Sequence, residues 1–164
     1  MCLHRRSSDL LVLSELDSSS GHPTPPERVR VLEVVESAFH TVGSGAHIRG
    51  VRLNKEQCQD CVVMGYRLRL EQVLVNLMDN AVKFNRPDGE VCVECAPTED
   101  GRVRISVADT GIGIPNDDLK RIFERFYRVD KARSRHSGGT GLGLPIVKQM
   151  VERMGGTISV ESQL

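Results

Sequence analysis

The sequence predicts an α+β domain in which a layer of helices covers one sheet. Two long segments, at about 67–83 and 142–154, repeat apolar residues at helical spacing. Two shorter segments, 90–96 and 102–108, read as strands joined through Thr98-Glu-Asp-Gly101, where the Asp-Gly pair marks a hairpin turn. Helices and strands also mix without the strict βαβ alternation of a parallel sheet.

At 164 residues the chain is long enough to bury a real core as one domain. A hydrophobic content of 39% and a charged content of 27% are ordinary for a soluble globular protein. The formal net charge of zero argues against a general nucleic-acid or polybasic membrane surface, so no nucleic-acid partner and no direct membrane contact are expected in this segment. Met1–Arg6 lacks the apolar core of a signal peptide, and no apolar stretch approaches bilayer-spanning length. A cytoplasmic location is expected, which leaves room for a parent protein anchored in a membrane.

The elements follow in order. Leu3, Leu10, Leu13 and Leu16 mark a short amphipathic helix over Leu3–Leu16. Residues 18–26, rich in Ser and Pro, read as a linker, with one domain over 27–164. Val31, Val34, Val35, Ala38 and Phe39 give helical spacing from Glu27 to about Val42. His47–Leu53 and Cys61–Met64 are short strand candidates. In the helix at 67–83, Leu70, Leu74, Leu77 and Ala81 form the buried stripe. A short helix follows Pro115, over 117–123. The basic stretch 125–136 has no helical or strand period and reads as a loop. Leu144, Val147, Val151 and Met154 carry the second strong helix, which Gly155-Gly156 stops; a strand follows at 157–161.

Five cysteines, an odd number, without a secretory signal point to reduced thiols. Cys58/Cys61 and Cys92/Cys95 together imitate zinc-ribbon spacing. Cys92 and Cys95 fall on a strand, however, where residues three apart face opposite ways and cannot easily share one ion. Ordinary thiols are favoured over a metal or redox role.

Three polar segments bear on function. Asn76, Asn80, Lys83 and Phe84 fall within roughly one third of a helix circumference, beside the Leu stripe. An Asn carbonyl is a hard oxygen ligand suited to Mg²⁺, a Lys ammonium can hold phosphate, and Phe84 offers a face to a base. A polar rim packed on neighbouring loops would use the same residues. Asp109 closes the strand Val103–Ala108, where its carboxylate could accept the amine of adenine and would reject the carbonyl of guanine. Gly111 and Gly113 permit close approach to the main chain, and Ile112 and Ile114 could supply apolar walls. A glycine turn with no ligand remains open here too. Gly138–Leu144 opens a helix whose N-terminal N–H groups suit phosphates, although a plain glycine hinge would look alike. It is neither a Walker A loop nor a dinucleotide fingerprint, and Pro145 fixes the helix start near Leu142–Leu144.

Taken together, these segments resemble the catalytic, ATP-binding domain of two-component sensor histidine kinases. Their superfamily also holds gyrase, heat-shock chaperones and mismatch-repair ATPases. Asn76–Phe84 resembles the N box, Asp109–Ile114 the G1 box, Phe123–Phe126 the F box and Gly139–Leu144 the G2 box, within a match running from about Val31 to Gln163. The resemblance implies a two-layer α/β sandwich of the Bergerat type, a mixed, mostly antiparallel sheet against three helices.

It further implies that Asn80 coordinates Mg²⁺, with Asn76 assisting on nucleotide or metal. Lys83 would bind phosphates, Phe84 would pack near adenine, and Asp109 would bind the adenine amine. Gly111, Gly113 and Ile114, with Gly139, Thr140, Gly141, Leu142 and Gly143, would complete the ATP site. Arg128 would reach the γ-phosphate. Residues 129–136 would form a lid whose base Phe123 and Phe126 anchor, with Lys131, Arg133, Arg135 and His136 as solvated lid charges.

ATP-hydrolysing members of the superfamily carry Glu one turn before the metal-binding Asn, as general base toward water. Asn76 stands at that position here, and an amide cannot take that proton. Transfer to a side chain is thereby favoured over hydrolysis. None of His4, His22, His40, His47 or His136 lies in the family's phosphoacceptor context, and residues 1–17 resemble the end of the dimerisation hairpin. The acceptor histidine is therefore expected on a hairpin upstream, with a response-regulator receiver domain as the next partner. The final strand is expected to be truncated. Tyr66 and Pro145 depart from the usual family residues at positions away from the nucleotide. The alternative is a nucleotide-binding regulatory module that performs no phosphotransfer.

Overall fold

In the computed structural model, which describes residues 25–129 and 142–163, the elements run β1 (Glu27–Arg30), α1 (Val31–Ile48), β2 (Arg52–Asn54), β3 (Val62–Gly65), α2 (Arg67–Lys83), β4 (Glu90–Pro97), β5 (Val103–Asp109), α3 (Asn116–Leu119) and α4 (Gly143–Arg153). The readings made for residues 1–24 and 130–141 lie outside the described residues.

The helix expected at 67–83 forms over those residues. Leu74, Leu77 and Ala81 turn inward with Val73, Met78 and Val82. Arg, Leu, Glu and Gln supply good helix formers, and the run ends before the Pro87-Asp88-Gly89 turn. α2 packs against α1, α4 and the inner face of β4 and β5. Val91, Val93 and Cys95 point into that core, while Glu94 is exposed, as a half-buried strand requires. Val34, Val35, Leu74, Met78, Val91, Val93, Ile146 and Met150 are all at most 2% exposed, so α1, α2, α4 and the sheet share one core.

The described strands form two ladders. β1 pairs antiparallel with β3, and a three-stranded sheet runs β2–β4–β5. Its β2–β4 pairing is parallel and its β4–β5 pairing antiparallel. This is the mixed α+β sandwich expected, with α1, α2 and α4 as its three long helices.

Several local expectations are corrected. Glu27–Arg30 is a strand rather than the first turn of a helix; Glu27 pairs with Gly65 and Arg30 with Val62. The helix begins at Val31, whose N–H donates to the Cys61 carbonyl at 2.9 Å. It runs on to Ile48 because Ala46, past Gly43 and Gly45, continues the buried stripe from Val42. That removes His47 and Ile48 from the predicted strand, which shrinks to Arg52–Asn54. The helix expected at 117–123 is one turn at Asn116–Leu119, continued by turns.

The strand expected at 157–161 makes no ladder with the described residues. Ile158 and Val160 pack on the core while Thr157, Ser159 and Glu161 are exposed, so the two-residue period is present without backbone pairing.

Cys58 and Cys95 form a disulfide, with Cα atoms 4.3 Å apart, where reduced thiols were expected. The cause is a non-local pairing: residues 57–59 lie parallel to β4, with Gln59 N–H donating to the Cys95 carbonyl at 2.8 Å. Cys61 and Cys92 are free thiols. Cys95 is fully buried and Cys92 half-buried on the opposite side of the strand, and no cluster of three His, Cys, Asp or Glu side chains suited to a metal ion occurs among the described residues.

Candidate nucleotide-binding site

Asn80 is the buried polar residue of α2, at 1% exposure in an otherwise apolar core. Neither its amide nitrogen nor its amide oxygen has a hydrogen-bond partner among the described residues. Leaving such a group unsatisfied costs about 1–3 kcal/mol, and buried amides are nearly always paired. The orphaned amide therefore fits a polar ligand, and its oxygen has the chemistry of a hard-cation ligand such as Mg²⁺.

The neighbouring side chains of α2 are less buried. Asn76 donates from Nδ2 to the Gln72 carbonyl at 3.0 Å, along its own helix. Lys83, with its side chain 16% exposed, donates to Asp79 one turn earlier. That pairing neutralises part of the charge available to phosphate, and Asp79 had not been read as part of the site. Its signal was the i, i+4 spacing to Lys83.

Phe84 caps the C-terminus of α2, and its backbone N–H donates to the Asn80 carbonyl at 3.1 Å. The Phe84 carbonyl in turn accepts from Ile112 N–H at 3.1 Å. This joins the helix end to the turn that follows β5.

Asp109 ends β5 opposite Val91, two residues beyond the fully buried Val107, so the strand period places it on the side facing the helices. Its Oδ1 accepts from Gly111 N–H at 2.8 Å. A Cβ at Gly111 would meet the Phe84 carbonyl oxygen at 2.5 Å and Asp109 Oδ1 at 2.6 Å, so no side chain fits there. Gly113 has φ +72°, the left-handed region that favours glycine. Ile114 is 1% exposed in the core, with its N–H donating to Ser162 Oγ at 2.8 Å, whereas Ile112 is 43% exposed.

Three residues given no role in the sequence reading position this turn. Thr110 Oγ1 donates to Asn85 Oδ1 at 3.0 Å and accepts from Glu90 N–H at 2.9 Å. Asn85 Nδ2 donates to the Glu90 carbonyl at 3.0 Å. Gly89 fits because a Cβ there would strike Asn85 Oδ1 and Thr110 Oγ1. The latch fastens the segment leaving α2 to the end of β5 that carries Asp109. Its sequence signal was the Asn85-Arg-Pro-Asp-Gly89 turn.

Beyond α3, Tyr127 donates its hydroxyl to Asp118, and the Arg121 guanidinium lies 4.1 Å from the Tyr127 ring centroid. The hydrogen bond to Asp118, followed by burial, pushes the Tyr127 phenol up. Phe123 packs on the core beneath Lys148. Phe126 is 70% exposed at φ +64°, so of the two phenylalanines only Phe123 anchors this segment to the described core. Arg128 follows, half-buried.

Leu142 and Gly143 open α4 and are buried; Leu142 accepts from Ile146 N–H at 3.0 Å. Pro145 falls in the first turn, as expected. Gly139, Thr140 and Gly141 lie outside the described residues. Thus the structure gathers Phe84, Asp109 and Gly111 into one contact set and sets Asn80 one turn below it on α2.

Comparison with known proteins agrees with this arrangement. Residues 65–164 match the family model described as "Histidine kinase-, DNA gyrase B-, and HSP90-like ATPase". The sensor protein SrrB of Staphylococcus aureus is 45% identical over 162 residues, which is 99% of this chain and 27% of that protein. The chain spans about a quarter or less of the curated relatives it matches. Among solved structures, the mycobacterial sensor histidine kinase MprB is 32% identical with a TM-score of 0.69, over 79% of this chain and 82% of that one. Full-length ShkA, solved in complex with AMPPNP, is 31% identical with a TM-score of 0.80, over 96% of this chain and 32% of that one. The chain belongs to the histidine kinase-, DNA gyrase B- and HSP90-like ATPase family, as a catalytic domain of the sensor histidine kinase type.

Proposed function

We propose that the chain binds ATP with Mg²⁺ and transfers the γ-phosphoryl group to a histidine on a dimerisation hairpin outside residues 25–163. The observation that carries this reading is the orphaned, fully buried amide of Asn80. Asp109 would accept the adenine amine, held in place by Gly111 N–H. Phe84 would flank the base, and Gly111, Gly113 and Ile114 would shape the turn beside it. Lys83 would hold phosphate while shared with Asp79. Asn76 would assist from the turn before Asn80, and Arg128 would act at the γ-phosphate. Gly139, Thr140, Gly141, Leu142 and Gly143 would contact the phosphates. Asn80 would hold Mg²⁺, which when bound neutralises phosphate charge and stabilises the charge spread over the oxygens in transfer.

The likeness to ShkA, solved with AMPPNP, supports nucleotide binding. Asn76 supports transfer over hydrolysis, because an amide does not act as general base toward water. A response-regulator receiver domain would then take the phosphoryl group from the histidine. No helix among the described residues is long and apolar enough to cross a membrane.

The test is to incubate the chain with γ-labelled ATP, Mg²⁺ and a separately produced hairpin of a related kinase. Acid-labile, base-stable label on the hairpin is expected. Nucleotide binding without label would support the regulatory reading instead, and phosphate release without an acceptor would support hydrolysis.

A further inference from the structure

We propose that Cys58 and Cys95 form a reversible thiol–disulfide site that fastens residues 55–60 to β4 and so adjusts the stability of the sheet carrying Asp109. The placement rests on backbone as well as sulfur. Gln59 N–H donates to the Cys95 carbonyl at 2.8 Å and Cys95 N–H to the Gln57 carbonyl at 3.5 Å. These bonds hold the two cysteines adjacent whether or not the sulfurs are joined, so a reduced pair is set to close again. Cys58 is half-buried and within reach of a reagent, whereas Cys95 is fully buried. Exchange therefore enters at the Cys58 sulfur.

The other described thiols are poor competitors. Cys61 is 7% exposed. Burial, followed by the charges of Glu94, Glu90 and Glu56, pushes the Cys92 thiol up, leaving less of the thiolate that reacts. The pair that closes is thus chosen by access and by neighbours.

In the oxidising direction, the Cys58 thiolate attacks the outer oxygen of a hydroperoxide and breaks the O–O bond, giving a sulfenic acid and an alkoxide (hydroxide from hydrogen peroxide) that takes a proton from solvent. The Cys95 thiol then displaces the hydroxyl as water and forms the S–S bond. In the reducing direction, one sulfur of a dithiol attacks Cys58, and Cys95 leaves as thiolate and takes a proton. The second sulfur of the dithiol then releases Cys58 and carries away the disulfide.

The bond closes a sequence separation of 37 residues that includes β3 and all of α2. Cys95 sits on the strand whose first residues pair with Asp109 and the latch at Glu90. Joining the two cysteines restrains the unfolded chain over that span, which should raise the melting temperature by roughly 5–10 °C.

The test uses the full chain and its Cys58→Ser variant, each treated with hydrogen peroxide and then with dithiothreitol. The expected result is a peptide linked through Cys58 and Cys95 after peroxide that disappears in dithiothreitol while circular dichroism remains that of the folded protein. Melting temperature should fall on reduction of the parent chain and stay unchanged in the variant. A link from Cys58 to Cys61 or Cys92, no link at all, a bond that opens only on unfolding, or equal responses of parent and variant would each overturn the proposal. A Cys58→Ala variant checks that any loss of fold in the serine variant comes from the hydroxyl rather than from the missing bond.

Discussion

Gly111 lies against the carbonyl of Phe84 so closely that a Cβ at position 111 would stand 2.5 Å from the Phe84 oxygen. The contact holds the end of α2 and the turn after β5 at one separation. The same added carbon would fall 2.6 Å from Asp109 Oδ1.

Gly111→Ala is therefore expected to push these segments apart, with a loss of about 1–3 kcal/mol in stability. ATP binding should weaken along with it. Urea unfolding and nucleotide titration of the same variant check both effects; an unchanged unfolding midpoint would contradict the close approach.

Asn80→Leu is expected to separate stability from binding. Replacing an orphaned buried amide with an apolar side chain of similar size should stabilise the nucleotide-free domain by about 1–3 kcal/mol. Binding of ATP with Mg²⁺ should fall by roughly tenfold or more. Thermal melts without nucleotide give the first quantity and calorimetry the second. A destabilised variant would mean that the amide serves the fold.

Asp109→Asn keeps an oxygen for Gly111 N–H but places a donor where the adenine amine would lie. ATP affinity should drop by about 10–100-fold, with GTP affected much less. Equal losses for the two nucleotides would refute the assignment of the base.

Tyr127 supplies a pH prediction. Its phenol is held above the ordinary value of 10.0, chiefly by the hydrogen bond to Asp118. A raised pKa favours the protonated form in the folded state. The contribution of this bond is therefore complete below the unfolded-state value and lost as pH rises through the higher folded value. In a Tyr66→Phe background, ultraviolet titration should report ionisation of Tyr127 alone, above pH 10, and Asp118→Asn should bring it down.

How much of this was legible in the sequence depended on whether the deciding contact was local. The bounds of α2 could be read because Leu70, Leu74, Leu77 and Ala81 repeat within one helix and a turn follows at once. The β4–β5 hairpin was legible for the same reason, with Asp100-Gly101 between its strands. Glu27–Arg30 was not, since its conformation is set by pairing with residues 62–65. The disulfide was hidden in the same way: nothing near Cys58 announces that residues 57–59 will lie along Cys95.

In the site, residue types pointed to Asn80 and Asp109. The latch of Asn85, Gly89 and Thr110 emerged only once the helix end and the strand end were seen side by side. Burial of Ile114 depended on Ser162 and on the core below it in the same manner.

The parallel seam between β2 and β4 has a kinetic consequence. β4 and β5 meet through a short turn, and that hairpin forms from neighbours in the chain. Arg52 meets Glu90 only after β3 and α2 have been placed between them. Contacts that close a long loop form late, because the chain must lose more freedom before they are made. The strand bearing Asp109 is thus built early, and the β2 seam is expected to join after the β4–β5 hairpin and to open before it. Native-state hydrogen exchange should show it: the Arg52 amide, which donates to the Gly89 carbonyl, should exchange sooner than the amides of Val93 and Val107.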